Sequence, residues 1–475
     1  MRLLSRVVLA SGVRDTIGEL VAPLQFACGM RCGADAMSHA VRVLTERHPE
    51  WVWLAWDLAN AFNSVSREAV LRALEGDERL RCLIPYFCLM HDEDGELWYR
   101  GERGRSVIWS AEGMAQGDPL SMLYFCLAIA PCLEEVSAVL PEDSAVLSFA
   151  DDGRVGAPAA ALLRLLEVAV SAFQRVGLRL QVGKSEVWAP GAESEEAVQE
   201  VADAFAERGH GLQACRSGGM VTVGCPLGQS GWAHRRLVCT VAQHSGFLRR
   251  TRAVAHRHPS QALRLLQICG VRRFQHHIRV ADPIHTRGPA RAADVMVERA
   301  FLEIAQPLGW GSSSWEEAED GSRYGEHSLQ RARQPAAFGG AGLTSMEEEV
   351  DSAAYASWGA TLQPLIERFT GVRQSAALRD LAEELGRAET SDLPWAVGLR
   401  ETQGRILAEL DQDYLQGVRG LPADFLASVV PRASGVDTAG GRRGTRRRER
   451  DLPEAFDLPG VGDIVQEQGV YILIL

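Results

Sequence analysis

Eight residues, Trp51 to Leu58 (WVWLAWDL), constrain this chain more than any other stretch. The run is short, aromatic-rich and without clean alternation of polar and apolar positions, the pattern of a strand buried on both faces. Near its end it delivers one acid, Asp57, to the edge of the sheet that contains it.

The flanking sequence tells what that sheet is made of. Met37, Ala40, Val41 and Leu44 repeat at helical spacing and predict a helix near 33–47, and Ser66 suits the N-cap of a helix through about Leu74. Leu97 to Tyr99 and Val107 to Trp109 flank a Gly-Arg-rich turn and read as a hairpin. Gln116-Gly117-Asp118-Pro119 is a loop entering a helix that runs to about Val136, with Asp118 as N-cap and Pro119 at the first helical position. Ser144 to Ala150 and Arg154 to Gly156 predict a second hairpin with Asp151-Asp152-Gly153 at its tip. A helix follows from Pro158, its apolar face built by Leu162, Leu165, Leu166, Ala169, Val170 and Phe173, and Gly177 closes it. Short strands are expected near 178–182 and 186–189, a helix near 194–208, and a strand from Met220 to Val223 before the turn 224–228. Beyond that the chain reads as helical, with loops at 309–314 and 339–342.

This alternation predicts an α+β fold: one antiparallel sheet carrying helices on its back, with its open face gathering Asp57 and the Asp151-Asp152 pair, 94 residues apart. Carboxylates so placed can share two divalent cations roughly 3.5–4 Å apart, an arrangement suited to phosphoryl transfer, which needs positioning and charge neutralisation more than covalent help. An isolated Asp-Asp in a turn is ordinarily turn chemistry. Here it sits in an ordered string of motifs.

Composition bounds the setting. At 475 residues, two to three packed units are expected. No eighteen apolar residues run together and no secretory signal opens the chain, so an intracellular protein of nucleus or cytoplasm, not engaged with membrane, is expected. The ten cysteines are then reduced, and their spacing lacks the paired C-x-x-C and His clusters of a zinc site. A net charge of −12 argues against uniform coating of nucleic acid. Between 231 and 300, however, thirteen arginines face three acids, a local excess that would track a phosphate backbone, or else a solvated helical face. Among fifty basic residues only one is a lysine, Lys184.

The blocks Asp57-Leu-Ala-Asn60-Ala-Phe62-Asn63, Gln116-Gly-Asp-Pro-Leu-Ser121, Phe149-Ala-Asp-Asp152 and Gly177-Leu-Arg-Leu-Gln-Val-Gly-Lys184, in this order, resemble the reverse transcriptases of non-LTR retrotransposons. Gln25, Gly29, Gly33 and His39 resemble the family's approach to the first Asp, and Val223 to Gly228 its primer-grip turn. The resemblance is strong over about 3–228 and weaker over 259–358. It implies a right-hand polymerase, with partial fingers and palm over 1–228 and a basic thumb-like helical region over 229–300; a helical region is expected over 301–430, and composition predicts a flexible Gly/Arg-rich tail over 431–475.

It further implies an RNA-directed DNA polymerase using two Mg2+ or Mn2+ ions held by Asp57, Asp151, Asp152 and the carbonyl of Leu58, with dNTPs as substrates. An RNA template and a DNA primer or nicked target DNA would be its partners. Phe62 would lie under the incoming sugar, and Gln116 and Gly117 would let backbone approach the nascent pair. Lys184 would protonate the departing pyrophosphate, since an amine can release a proton where a guanidinium cannot. The chain departs from the family at Met122 and Gln181, often Pro and Asn, and Leu3-Leu4-Ser5-Arg6 resembles the end of the fingers motif, so upstream fingers strands are expected to be missing. Neither an endonuclease before the palm nor a zinc knuckle after it is read. The alternative is an inactive or domesticated palm that binds nucleic acid. An RNA-templated RNA polymerase fits less well, because Phe149-Ala150 stands where such enzymes more often carry Gly.

Overall fold

The computed structural model describes residues 2–91, 94–101, 104–191, 195–208, 213–214, 218–305, 332–334, 340–369, 464–467 and 470–473. The chain divides into two compact units, Met1–Arg400 and Glu401–Leu475. In the first, α1 (Arg2–Val8), α2 (Arg14–Val21) and α3 (Gly33–Arg47) precede β1 (Val52–Trp56). Then come α4 (Ala61–Ser64), α5 (Arg67–Gly76), α6 (Ile84–His91), the hairpin β2 (Gly95–Gly101) and β3 (Gly104–Ser110), and α7 (Ser121–Ala138). The hairpin β4 (Ala145–Phe149) and β5 (Asp152–Ala157) leads to α8 (Ala159–Arg175), β6 (Glu186–Trp188), α9 (Glu195–Glu207) and β7 (Gln213–Ala214). A third hairpin, β8 (Gly219–Thr222) and β9 (Cys225–Gly228), opens the helical part: α10 (Ser230–Ala255), α11 (Pro259–Leu265), α12 (Gln275–Val280), α13 (Pro283–Ala305) and α14 (Met346–Arg368). In the second unit β10 (Ile464–Glu467) pairs antiparallel with β11 (Val470–Leu473), inside the segment expected to be a tail. The arginine run at 442–450 and the loop at 309–314 lie outside the described residues.

The central sheet has the order β4-β5-β1-β6-β7, antiparallel except for the parallel β6–β7 pair. As the Trp51–Leu58 run predicts, β1 is central and every residue of it is buried. Its side chains alternate between two cores. Val52, Leu54 and Trp56 belong to the core that also holds residues of α2, α5, α7 and α8, whereas Trp53, with Trp51 just before the strand, belongs to the core that holds residues of α3 and of α10 to α14.

The expectation of helices on one face of the sheet therefore fails. Trp51, Trp53, Leu147 and Trp188 form an apolar second face in one core with α3, and helices up to three hundred residues downstream continue that core by packing on α3. Such a face would be costly to leave in water. No strand forms at 178–182; Leu180 makes only an isolated bridge to Leu58, and a short 3-10 turn spans Val182–Lys184.

Helix α7 has the length and mean hydropathy (1.3) of a membrane span, but eleven of its residues are buried. Its apolarity on nearly every side follows from packing between the sheet and its neighbouring helices.

Polar contacts stitch the second cover to the sheet. Ser357 in α14 donates to Asp35 Oδ2 (2.9 Å), which also accepts from Arg279 (2.6 Å). Since the Ser357 proton is thus used, His39 Nε2 must donate to Ser357 Oγ (2.9 Å), leaving Nδ1 without a partner while the ring stacks on Trp358. Burial, with Arg42, Arg279 and His276 adding to it, holds His39 well below the ordinary imidazole range. Burial likewise pushes His244 and His277 down to about 4. These rings are neutral in the fold and take a proton near pH 6.5 when unfolded. Their contribution is whole above that value and is lost as pH falls from about 6.5 toward 4. Thermal denaturation across that window should show a falling midpoint, and a flat profile would contradict neutral burial.

Candidate active site

Strand register brings the acids to one edge. Trp56 pairs with Gly153, so one further step along both strands sets Asp57 alongside Asp152. The Trp56 ring lies across Gly153, where a Cβ would come within 1.9 Å, so only glycine allows this close strand pairing next to the acid. Asp57 is held by the segment carrying Lys184: its N–H donates to Ser185 Oγ (3.3 Å) and its carbonyl accepts from Gln181 N–H (2.8 Å). Lys184 Nζ, exposed, lies 3.8 Å from Asp57 Oδ2.

The β4–β5 hairpin places Asp151 at its tip, whereas Asp152 is the first residue of β5. Ala150 takes a left-handed φ of 54°, a conformation that non-glycine residues rarely adopt without support. Support comes from Gln25, fully buried, whose Oε1 accepts from Ala150 N–H (2.8 Å), and from Ser148 Oγ, which donates to the Ala150 carbonyl (2.7 Å). Gln25 thus braces the hairpin that carries Asp151 and Asp152.

The three carboxylates feel one another. Asp151 is raised from its ordinary value first by burial and then by the negative charges of Asp152 and Asp57, against a backbone hydrogen bond that lowers it. Asp152 is committed elsewhere: Arg154, 6% exposed within β5, donates to Asp152 Oδ1 and, through its other guanidinium nitrogen, to the Val221 carbonyl of β8 (2.7 Å). Accordingly, among the described residues no three His, Cys, Asp or Glu side chains form a ready-made metal cluster. The donor set still suits a divalent cation in its chemistry, being hard oxygen ligands whose mutual repulsion a cation would relieve. Arg154 is the residue that reading the sequence missed. Its only signal there was a charged position inside an otherwise buried strand.

No protein-family model matches the chain. Over 132 residues it is 28% identical to the Retrotransposable element SLACS 132 kDa protein of Trypanosoma brucei gambiense, a stretch that is 28% of this chain and 11% of that protein. That likeness to a retroelement protein agrees with the resemblance read from the ordered blocks. Among solved structures, apo telomerase from Candida tropicalis is similar at 12% identity and TM-score 0.32, over 80% of this chain and 61% of that one. Telomerase from Candida albicans, in complex with a TWJ fragment of telomeric RNA, is similar at 11% identity and TM-score 0.30, over 67% and 54% of the two chains. Scores of this size decide neither domain arrangement nor chemistry.

The remaining expected site residues fall around the same edge of the sheet or on its connections. Leu58 is buried and follows Asp57 directly. Phe62, in α4, is half-buried, with one face stacked on Phe125 (centroids 4.6 Å). Gln116 and Gly117 are exposed, and Gly117 has φ 85°, which supplies the reason for glycine there. Asp118 does not cap α7, which begins at Ser121; its Oδ1 accepts from Leu120 N–H in a turn, and its Oδ2 from Ser5 Oγ. Val223 and Gly224 both take positive φ in the β8–β9 turn, and His276 Nε2 lies 2.8 Å from the Val223 carbonyl, fitting an N–H that donates to it.

Seven of the thirteen arginines in the block fall into two groups. Arg252, Arg279, Arg287 and Arg291 are used within the fold, pairing with Glu303, Asp35, Asp351 and Glu347. Arg249, Arg250 and Arg257 are exposed, while α10 buries Leu237, Val241, His244, Leu248 and Thr251 on its other side. If this face tracks a phosphate backbone, replacing Arg249, Arg250 and Arg257 by Gln should lower the slope of log affinity against log salt by about 2 to 3. Replacing Arg287 and Arg291 should change stability and leave that slope as it was. Equal slopes for both sets would return the face to ordinary solvated surface.

Proposed function

We propose that this chain is a reverse-transcriptase-type nucleotidyltransferase, an RNA-directed DNA polymerase whose palm is the β4-β5-β1-β6 sheet. One observation carries the reading: residues far apart in sequence, Asp57 and the Asp151-Asp152 hairpin, are brought to one edge by the β1–β5 register. Asp57, Asp151 and the Leu58 carbonyl would hold two Mg2+ or Mn2+ ions, with Asp152 joining once its pairing with Arg154 loosens. When bound, such ions activate a primer 3′ hydroxyl and neutralise the triphosphate of an incoming dNTP. Phe62, backed by Phe125, would offer a ring to the sugar. Lys184, near Asp57, would supply a proton to the leaving pyrophosphate. The template would be RNA, and the primer a DNA strand or nicked target DNA.

A second reading has its own support. The Asp152–Arg154 and Asp57–Lys184 pairs engage two of the three acids at the edge, which suits a palm that binds nucleic acid without copying it. Primer extension on an RNA template with Mg2+ separates the two: Asp151-dependent incorporation supports the polymerase, and binding without incorporation supports the alternative.

A further inference from the structure

We propose that the β2–β3 hairpin is a landing surface for single-stranded nucleic acid, with bases stacking on Trp98 and Trp109 and phosphates meeting Arg100 and Arg105. The register pairs Glu96 with Trp109, Trp98 with Val107 and Arg100 with Arg105. Paired positions and every second residue share a face, so one face carries Trp109 beside Glu96, then Trp98 beside Val107, and then the two guanidiniums toward the tip. Trp98 is 66% and Trp109 60% exposed. The ribbon has two strands only, so neither ring has a covering layer.

Two features select the partner. Rings held out in water at this exposure mark an interaction surface, and aromatic side chains interleaved with arginine are what single strands stack upon. Arg100 and Arg105 stand directly opposite one another, an arrangement that destabilises a ladder by like-charge repulsion. Among the described residues neither makes an ion pair with a carboxylate, and a polyanion would supply the missing charge. A duplex, with its bases already stacked, cannot offer rings to the indoles.

The ribbon is rooted at the candidate active site. Arg67 donates to the carbonyls of Ser110 (2.8 Å), Gly113 (3.2 Å) and His91 (3.5 Å), which fixes both ends of the hairpin to α5. Met114 N–H donates to the Phe62 carbonyl (2.6 Å), and Gln116 follows two residues later. A strand lying along the ribbon would therefore lead toward Asp57 and Phe62. That last step rests on the proposed polymerase reading; the binding itself does not.

The test is fluorescence anisotropy of the full chain with a labelled oligouridylate, beside a blunt duplex. Trp98→Ala and Trp109→Ala should each weaken single-strand binding by about 5- to 100-fold with little effect on the duplex. Joint replacement of Arg100 and Arg105 by Gln should reduce the salt slope for the single strand by about 1.4. These side chains are exposed, so thermal midpoints of the tryptophan variants should match the wild type, and that of the arginine variant should hold or rise as the repulsion is relieved. Unchanged oligouridylate affinity in the tryptophan variants overturns the proposal, and so does a loss confined to self-association, which would make the ribbon a protein interface. Asp151→Asn should bind the oligouridylate like wild type. Hairpin-dependent binding with no incorporation would sink the polymerase reading alone, and Asp151-dependent incorporation with hairpin-independent binding would sink this one alone.

Discussion

Asp151→Asn should lower template-directed incorporation by about 10³-fold or more while leaving template affinity and the thermal midpoint intact. Cation-mediated charge stabilisation in the transition state is worth several kcal/mol, and each 1.4 kcal/mol or so is tenfold in rate. Asn keeps the shape of the side chain and a hydrogen-bonding oxygen, so the hairpin braced by Gln25 persists. The change also removes one of three charges that repel at the sheet edge, so stability should hold or rise. Equal incorporation by variant and wild type would refute the mechanism, and a collapse in stability would show that Asp151 is a structural residue. Asp152→Asn has a different expected signature, because it also strips Arg154 of its carboxylate. A buried guanidinium left without its anion costs stability, so this variant should lose both incorporation and thermal midpoint.

Asp294→Ala should destabilise the first unit by about 2–4 kcal/mol, read from denaturant unfolding. Asp294, in α13 and 8% exposed, is the acceptor that closes the start of α14: Ser345 Oγ (2.7 Å), Met346 N–H (2.8 Å) and Glu347 N–H (3.0 Å) all donate to its carboxylate. The first amides of a helix have no partner within it, so removing the carboxylate orphans donors in a buried place. Asp294→Asn, which keeps one acceptor oxygen, should lose less. The consequence reaches the sheet, since α14 carries Ser357 and Trp358 onto His39 and the second core. A loss below about half a kcal/mol for Asp294→Ala would show that water replaces the carboxylate there and that this joint does little for the cover.

Much of the local structure was legible. The WVWLAWDL run announced β1, the 3.6-residue repeat announced α3 and α8, and Ser66 caps α5 as its hydroxyl predicts, accepting from Ala69 N–H. Gly177 closes α8 with φ 79°. What failed did so for physical reasons. The segment 178–182 has strand-like composition, yet it meets β1 only where that strand ends, at Asp57, Leu58 and Ala59, and forms a bridge in place of a ladder. Asp118 has the chemistry of an N-cap, but its carboxylate is drawn to Leu120 N–H and Ser5, and the helix starts later. Arg154 gave only the signal of a charge inside a buried strand, because its meaning lies in contacts with Asp152 and with Val221, 67 residues away.

By itself the sequence determined the inventory: which acids, which lone lysine, which short elements and in what order, because backbone preference and apolar period act over neighbouring residues. Only the tertiary structure decided which acids share an edge, which of them an arginine claims, and that the sheet is covered on both faces. Those outcomes depend on strand register and on packing between segments from tens to about three hundred residues apart, and no local pattern encodes the energy of such a contact.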